Sequence, residues 1–165
     1  MIITIEIAKT CSDWMRRRQI NKRLMKKLTN LVLSKFNNLM KITEIELSIL
    51  LTEDQDMLNL NNEFRGSGKV TNVLSFPDIE LNWRTILEFT PESDYMYLGD
   101  IAFGYQIIQQ EAMDSDKTFE QHFTHLFIHS ILHLLGFDHK NEEDASAMES
   151  FEIDILRSLS ISSPY

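Results

Sequence analysis

His129, His133 and His139 are the residues of this chain best spaced to hold a metal ion. They lie in the run His129-Ser-Ile-Leu-His133-Leu-Leu-Gly136-Phe-Asp138-His139, and all five histidines of the chain fall between His122 and His139. His129 and His133 stand one helical turn apart, so on a helix both imidazoles leave the same face. That suits two ligands of one tetrahedral ion with metal–nitrogen bonds of about 2.0–2.1 Å. One straight helix does not supply a third, because His125 shares the face but sits about 12 Å along the axis from His133. His139 can reach the ion if the helix stops and the chain doubles back, and Gly136 stands where a left-handed cap is expected. Three histidines leave a fourth position open, the mark of a catalytic rather than a structural site.

Two histidines one turn apart are most simply a packed helix face. Three of them, with a glycine between the second and third, are poorly explained by packing alone. The same offsets occur in the metzincin pattern H-E-x-x-H-x-x-G-x-x-H. Here Ser130 occupies the position of the proteolytic glutamate. The ligand spacing of a zincin is present without the general base of a peptidase.

At 165 residues the chain is expected to form a single domain, 1–165, large enough to bury a substantial core. Its hydrophobic fraction of 43% and charged fraction of 25% are those of an ordinary globular protein. No apolar run approaches the length of a membrane span. The opening Ile2-Ile3-Thr4-Ile5-Glu6-Ile7 alternates like a strand and lacks the basic start of a signal peptide. The single cysteine, Cys11, has no partner for an internal disulfide, and a cytoplasmic setting with Cys11 as inert packing is expected.

The net charge of −9 argues against a nucleic-acid partner, but the cations are unevenly spread. Arg16, Arg17, Arg18, Lys22, Arg23, Lys26 and Lys27 gather seven of the 16 basic residues into one short segment. On a helix, Ile20, Leu24, Leu28 and Leu31 would form a buried stripe with most of these cations beside it. They make either a solvated helix face or an electrostatic foothold for RNA or a ribosome-like surface.

The elements that must position the histidines follow from periodicity and caps. Residues 2–8 read as a strand, and 13–37 as a long amphipathic helix with Ser12 as its N-cap. Ile45, Leu47, Ile49 and Leu51 mark a second strand. Thr52 with Gln55 suggests a capping box for a short helix carrying Met57, Leu60 and Phe64 and ending at Gly66. A third strand is predicted from Val70 to Phe76, stopped by Pro77. Residues 78–95 read as a loop whose length fits a lid, a substrate-binding excursion or, equally, a disordered stretch. A fourth strand runs from Tyr97 to Phe103, interrupted at Gly99-Asp100, and Tyr105 to Met113 is helical. Thr118 with Gln121 opens the histidine helix, which ends near Leu135. Asn141 caps a terminal helix with Ala145, Met148, Ile155 and Leu159 inward. Strands early and helices late give an α+β class: a small mixed four-stranded sheet with about five helices, one of them a zincin-like metal helix.

Several strings occur in one order: Arg65-Gly66, Thr71-Asn72-Val73-Leu74-Ser75-Phe76-Pro77, Leu98-Gly99-Asp100-Ile101, and His125-Leu126 running into the three-histidine motif. Together, over about residues 45–157, they resemble the YbeY family of bacterial endoribonucleases and ribosomal RNA maturation factors. The resemblance implies a zinc ion (Zn2+) held by His129, His133 and His139, with Arg65 as the family's functionally important arginine. It implies cleavage of single-stranded RNA in 3′-end maturation of small-subunit (16S) ribosomal RNA and in ribosome quality control. It also implies work with ribosomal proteins and a ribosome-associated GTPase. Two positions depart from the family pattern. Asn72 replaces an aspartate, which puts any acid–base or metal-orienting role of that carboxylate in doubt. Ser130 replaces a glycine and is expected to narrow the groove without blocking the ion.

On this reading Arg65 and the three histidines are the catalytic residues: the planar guanidinium matches two phosphate oxygens, beside an ion that polarises a third. Asp138 and Asp100 either orient a histidine or stabilise a turn. His125 either packs, caps a polar cluster or meets substrate, and His122 is assigned to solvent. The residues leave open whether water or the RNA's own 2′-hydroxyl attacks. Two further readings stand beside the nuclease: a metallopeptidase-like hydrolase, and a ribosome-assembly binding factor whose metal is structural.

Overall fold

Alternating apolar residues at odd positions build the first two strands of the sheet. In the computed structural model, which describes residues 1–165, β1 (Ile2–Lys9) buries Ile3 and Ile5, while β2 (Glu44–Thr52) buries Ile45, Leu47, Ile49 and Leu51. The third partner, β4 (Tyr95–Gly104), begins in the opposite phase with Met96 and Leu98 buried and ends with Ile101 and Phe103 buried. A bulge reconciles the two halves. Glu46 pairs with Tyr97 and Leu47 with Gly99, so Leu98 is the extra residue and every later side chain changes face. Gly99, at φ +136°, is required there because a Cβ would lie 2.2 Å from the Phe76 carbonyl oxygen.

The sheet order is β1-β2-β4-β3, with β1, β2 and β4 parallel and β3 (Val73–Pro77) antiparallel at the edge. α3 (Asp54–Arg65) covers part of one face through Met57 against Leu74 and Ala102. The other face carries the main core. Against it lies α5 (Phe119–Leu134), surrounded by α2 (Lys22–Leu33), α4 (Tyr105–Asp114) and α6 (Glu142–Ser158). The fold is α+β as the patterning predicts, with a mixed four-stranded sheet and six helices, the first of them one turn long. No helix is long and apolar enough to cross a membrane.

Three expectations need correction. The helix expected over residues 13–37 is two: α1 (Asp13–Arg16) and α2. Asn21 explains the break, since its Oδ1 accepts from the Leu24 amide and starts α2 afresh, whereas Ser12 makes no side-chain cap. The capping box at Thr52 does not form. Thr52 is buried at the end of β2, its hydroxyl engaged by Asp56 and Thr10, and Glu53 is the helix N-cap. The third strand starts at Val73 rather than Val70.

Residues 78–95 are tied down rather than poised as a lid. Ile86 is buried, Asn38 donates to the Ile86 and Phe89 carbonyls, and Trp83 donates its indole N–H to Asp144. The same segment packs the turn after α5: Trp83 N–H meets the Gly136 carbonyl at 3.4 Å.

A candidate metal centre at the end of the histidine helix

α5 starts as its sequence demands. Thr118 accepts from the Gln121 amide while the Gln121 side chain accepts from the Thr118 amide, a complete capping box. Its apolar residues Phe123, Phe127, Ile131 and Leu134 enter the core, which aligns His122, His125, His129 and His133 along the remaining side. The helix ends at Leu134, and Gly136 at φ +85° reverses the chain. No other residue fits, because a Cβ there would lie 2.1 Å from the Leu81 carbonyl oxygen. This turn brings His139 back over the helix.

The three expected histidines are brought together. Nitrogens of His129, His133 and His139 all lie within 4.8 Å of one another, and the His129 and His133 Nε2 atoms are 3.0 Å apart. Two imidazole ligands of one tetrahedral ion stand about 3.3 Å apart, so the pair already has nearly that separation. The partners of the opposite ring nitrogens show what the site is built for. His129 Nδ1 lies 2.6 Å from Glu152 Oε1, and His133 Nδ1 lies 2.9 Å from the Phe137 carbonyl oxygen. Both partners are acceptors, so both Nδ1 atoms carry the hydrogen and both Nε2 atoms present lone pairs. Neutral rings oriented in this way turn both Nε2 lone pairs toward one point, where a single ion can bridge them. The cluster fits a metal ion.

Electrostatics point the same way. Burial, aided by the neighbouring His129 and His139 rings, pushes His133 down to about 4, so its ring is neutral at pH 7 and able to accept a metal ion. Burial alone would raise the Glu152 carboxyl, but hydrogen bonds from His125 and His129 outweigh it and hold Glu152 at about 2. A carboxylate that is 0% exposed and ionised is thus satisfied by hydrogen bonds with the histidines it orients.

Glu152, from α6, is the residue of this site that the sequence did not reveal. The helical pattern 141–159 gave it no distinguishing neighbour, and its spacing from the histidine motif carries no signal. Asp138 is not the orienting carboxylate: it accepts from the His139 amide at 2.8 Å and pairs with Lys140 at 2.8 Å, a turn-stabilising role. Asp100 accepts from Tyr97 and has no contact with the histidines.

His122 is not a solvent residue. Its side chain is 13% exposed and its Nε2 lies 2.7 Å from Glu111 Oε2. His125 caps a polar cluster, with Nε2 2.9 Å from Glu152 Oε2, while its Nδ1 is buried without a partner. Ser130 does not narrow the groove. It is fully buried, and its hydroxyl donates to the Leu126 carbonyl on the core side.

Arg65 ends α3 beside the edge strand, where its Nη2 donates to the Ser75 carbonyl at 3.3 Å. It is exposed and forms no ion pair. Its charge is nevertheless felt at the turn that carries His139: Lys140, raised chiefly by its hydrogen bond with Asp138, is opposed by the Arg65 guanidinium.

With this geometry established, comparison with known proteins decides the family. The family model described as "Endoribonuclease YbeY" matches residues 11–160. The chain belongs to the YbeY endoribonuclease family. An Endoribonuclease YbeY from Chelativorans sp. (strain BNC1) is 44% identical over 122 residues, 74% of this chain and 71% of that protein. The solution structure of TM1509 from Thermotoga maritima shares the fold, with a TM-score of 0.52 and 21% identity over 96% of this chain and 92% of that one. The family is one of nuclease hydrolases, and the resemblance read from the motif strings is borne out.

Proposed function

We propose that this chain is a zinc-dependent endoribonuclease that cuts single-stranded RNA, with His129, His133 and His139 as the metal ligands and Arg65 as the phosphate-binding cation. The observation that carries the reading is the pair of carbonyl- and carboxylate-oriented imidazoles whose Nε2 atoms face one another, with His139 turned toward them. When bound, the ion supplies Lewis acidity, drawing charge from a phosphoryl oxygen and acidifying water.

The protein's own groups do the rest. Glu152 and the Phe137 carbonyl fix the ring orientations of His129 and His133, so the ligands need not reorganise as charge develops. Arg65, free of acidic partners, offers its planar fork to two phosphate oxygens and stabilises the negative charge gained at phosphorus. Arg18, Lys22, Arg23, Lys26 and Lys27 are exposed and without acidic partners, a sequence-independent foothold for the RNA backbone. The physiological setting we propose is 3′ maturation of small-subunit ribosomal RNA and ribosome quality control in the cytoplasm, with ribosomal proteins and a ribosome-associated GTPase as partners.

The test is cleavage of a defined single-stranded ribosomal RNA precursor by purified protein before chelation, after chelation and after zinc is restored. Activity should vanish and return, and Arg65→Ala should cut at least about 100-fold more slowly with an unchanged melting temperature. Cleavage that survives both chelation and Arg65→Ala would contradict the reading.

A further inference from the structure

We propose that the cavity beside the metal centre is a nucleobase subsite for guanine, read by Asn72 and Glu111 against the ring of Tyr165. The inference rests on the nuclease reading and deepens it by naming the base the enzyme selects. The cavity has a volume of about 630 Å³, within the roughly 300–1,000 Å³ typical of small-molecule sites. His129 lines it together with His122 and His125. A nucleotide seated here therefore lies one imidazole away from the three-histidine cluster, close enough for its phosphate to be the reacting group.

One wall is an aromatic surface held in place. Tyr165 is 59% exposed, yet its hydroxyl donates to Glu152 Oε2, and the ring stands edge-to-face with His125 at 5.9 Å. Lys117 Nζ steadies the approach to it through the Ser162 and Ser163 carbonyls, at 3.4 and 3.5 Å. An exposed ring with an anchored tip loses little freedom when a base stacks on it.

Another wall carries acceptors. Glu111 receives the Asn72 amide at 3.2 Å on Oε1 and 3.0 Å on Oε2, and His122 at 2.7 Å on Oε2. Although burial opposes it, these bonds hold Glu111 below its ordinary value, so it is an ionised acceptor. A carboxylate has about four lone-pair positions, which leaves one on Oε1. Asn72 turns its NH2 toward Glu111, its carbonyl oxygen makes no hydrogen bond within the protein, and both residues line the cavity. Guanine places two donors side by side, N1–H and N2–H2, and matches such a pair of acceptors. Uracil offers one N–H between two carbonyl oxygens, and both carbonyls would face acceptors. The departure from the family aspartate acquires a role here. Aspartate at 72 would set two carboxylates roughly 3 Å apart, where both cannot stay ionised.

The experiment is calorimetric titration of the zinc-loaded full chain with GMP and with UMP, which share the phosphate and differ in the base. GMP should bind at least about tenfold more tightly, since a hydrogen bond to a charged group is what separates them. Glu111→Gln should bring the two affinities within about twofold. Tyr165→Ala should weaken both nucleotides by about tenfold. If Glu111→Gln fails to fold by circular dichroism, Asn72→Leu serves instead: it removes the second acceptor at similar volume and should also erase the preference. Equal wild-type affinities, or a preference that survives either acceptor variant, would overturn the subsite. Cleavage of randomised RNA separates this inference from the reading beneath it. Cutting with no guanine preference at any fixed position sinks the subsite alone. Selective GMP binding without cleavage of any RNA supports the subsite and sinks the nuclease.

Discussion

His125 and His129 stand one turn apart on the same helix and touch the same carboxylate, yet they are built for different work. His125 gives its Nε2 to Glu152 and keeps a buried Nδ1 with no partner. His129 gives its Nδ1 to the other oxygen of Glu152 and so leaves Nε2 free to face His133. His122 resembles His125, with its Nε2 spent on Glu111. Residue type and helical spacing are equal across the row. The nitrogen that meets an acceptor decides which rings can ligate an ion and which shape a polar cavity.

If the row divides in this way, a change at its metal end should cost far more than one at the cavity end. His133→Ala should lose the ion and slow RNA cleavage by about a thousandfold or more. His122→Ala should keep one ion per chain by metal analysis. Comparable metal loss in both would mean that the whole row, not its end, holds the ion. Next comes Gly136→Ala, which forces a Cβ into the Leu81 carbonyl at a positive φ. It should cost about 3 kcal/mol or more in urea unfolding and lower metal occupancy with it, because the turn that returns His139 is displaced.

pH separates the two ends without mutation. His133 sits at about 4 in the ion-free fold, down from 6.5. The unfolded chain therefore takes up that proton first, and stability present above pH 6.5 is lost as pH falls toward 4, by on the order of 3 kcal/mol. Glu152, down from 4.5 to about 2, adds a further loss below pH 4.5. Urea midpoints of chelated protein at pH 7, 5.5 and 4.5 should fall progressively, and a flat profile would mean His133 is not desolvated as described. A milder change isolates ring orientation from ligation. Glu152→Gln keeps the shape but removes the charge that orients His129, and should weaken zinc about 10–100-fold by competition with a chromophoric chelator.

The three clustered histidines were legible because an i, i+4 pair and a glycine-led reversal are local features, written within one stretch of chain. The strands were legible for the same reason, since period-two burial survives in β1 and β2 unaltered. In β4 the bulge at Leu98 shifts the phase, and only pairing with β2 reveals why. Glu152 and Glu111 were not legible: each reaches its histidines through packing of separate helices, and a lone glutamate on an amphipathic helix looks like solvent-facing charge. The same long-range pairing misled the reading of His122. Residues 78–95 read as a loop open to lid, excursion or disorder because their anchors, Asn38, Gly136 and Asp144, lie far off in sequence.

The most direct test is a crystal structure of the zinc-loaded protein with anomalous data at the zinc edge. One ion per chain should appear, bound by nitrogens of His129, His133 and His139 at about 2.0–2.1 Å, with no fourth protein ligand and Glu152 still on His129 Nδ1. An ion held instead by His125, His129 and Glu152, or a His129–His133–His139 cluster closed by a fourth side chain, would contradict the account.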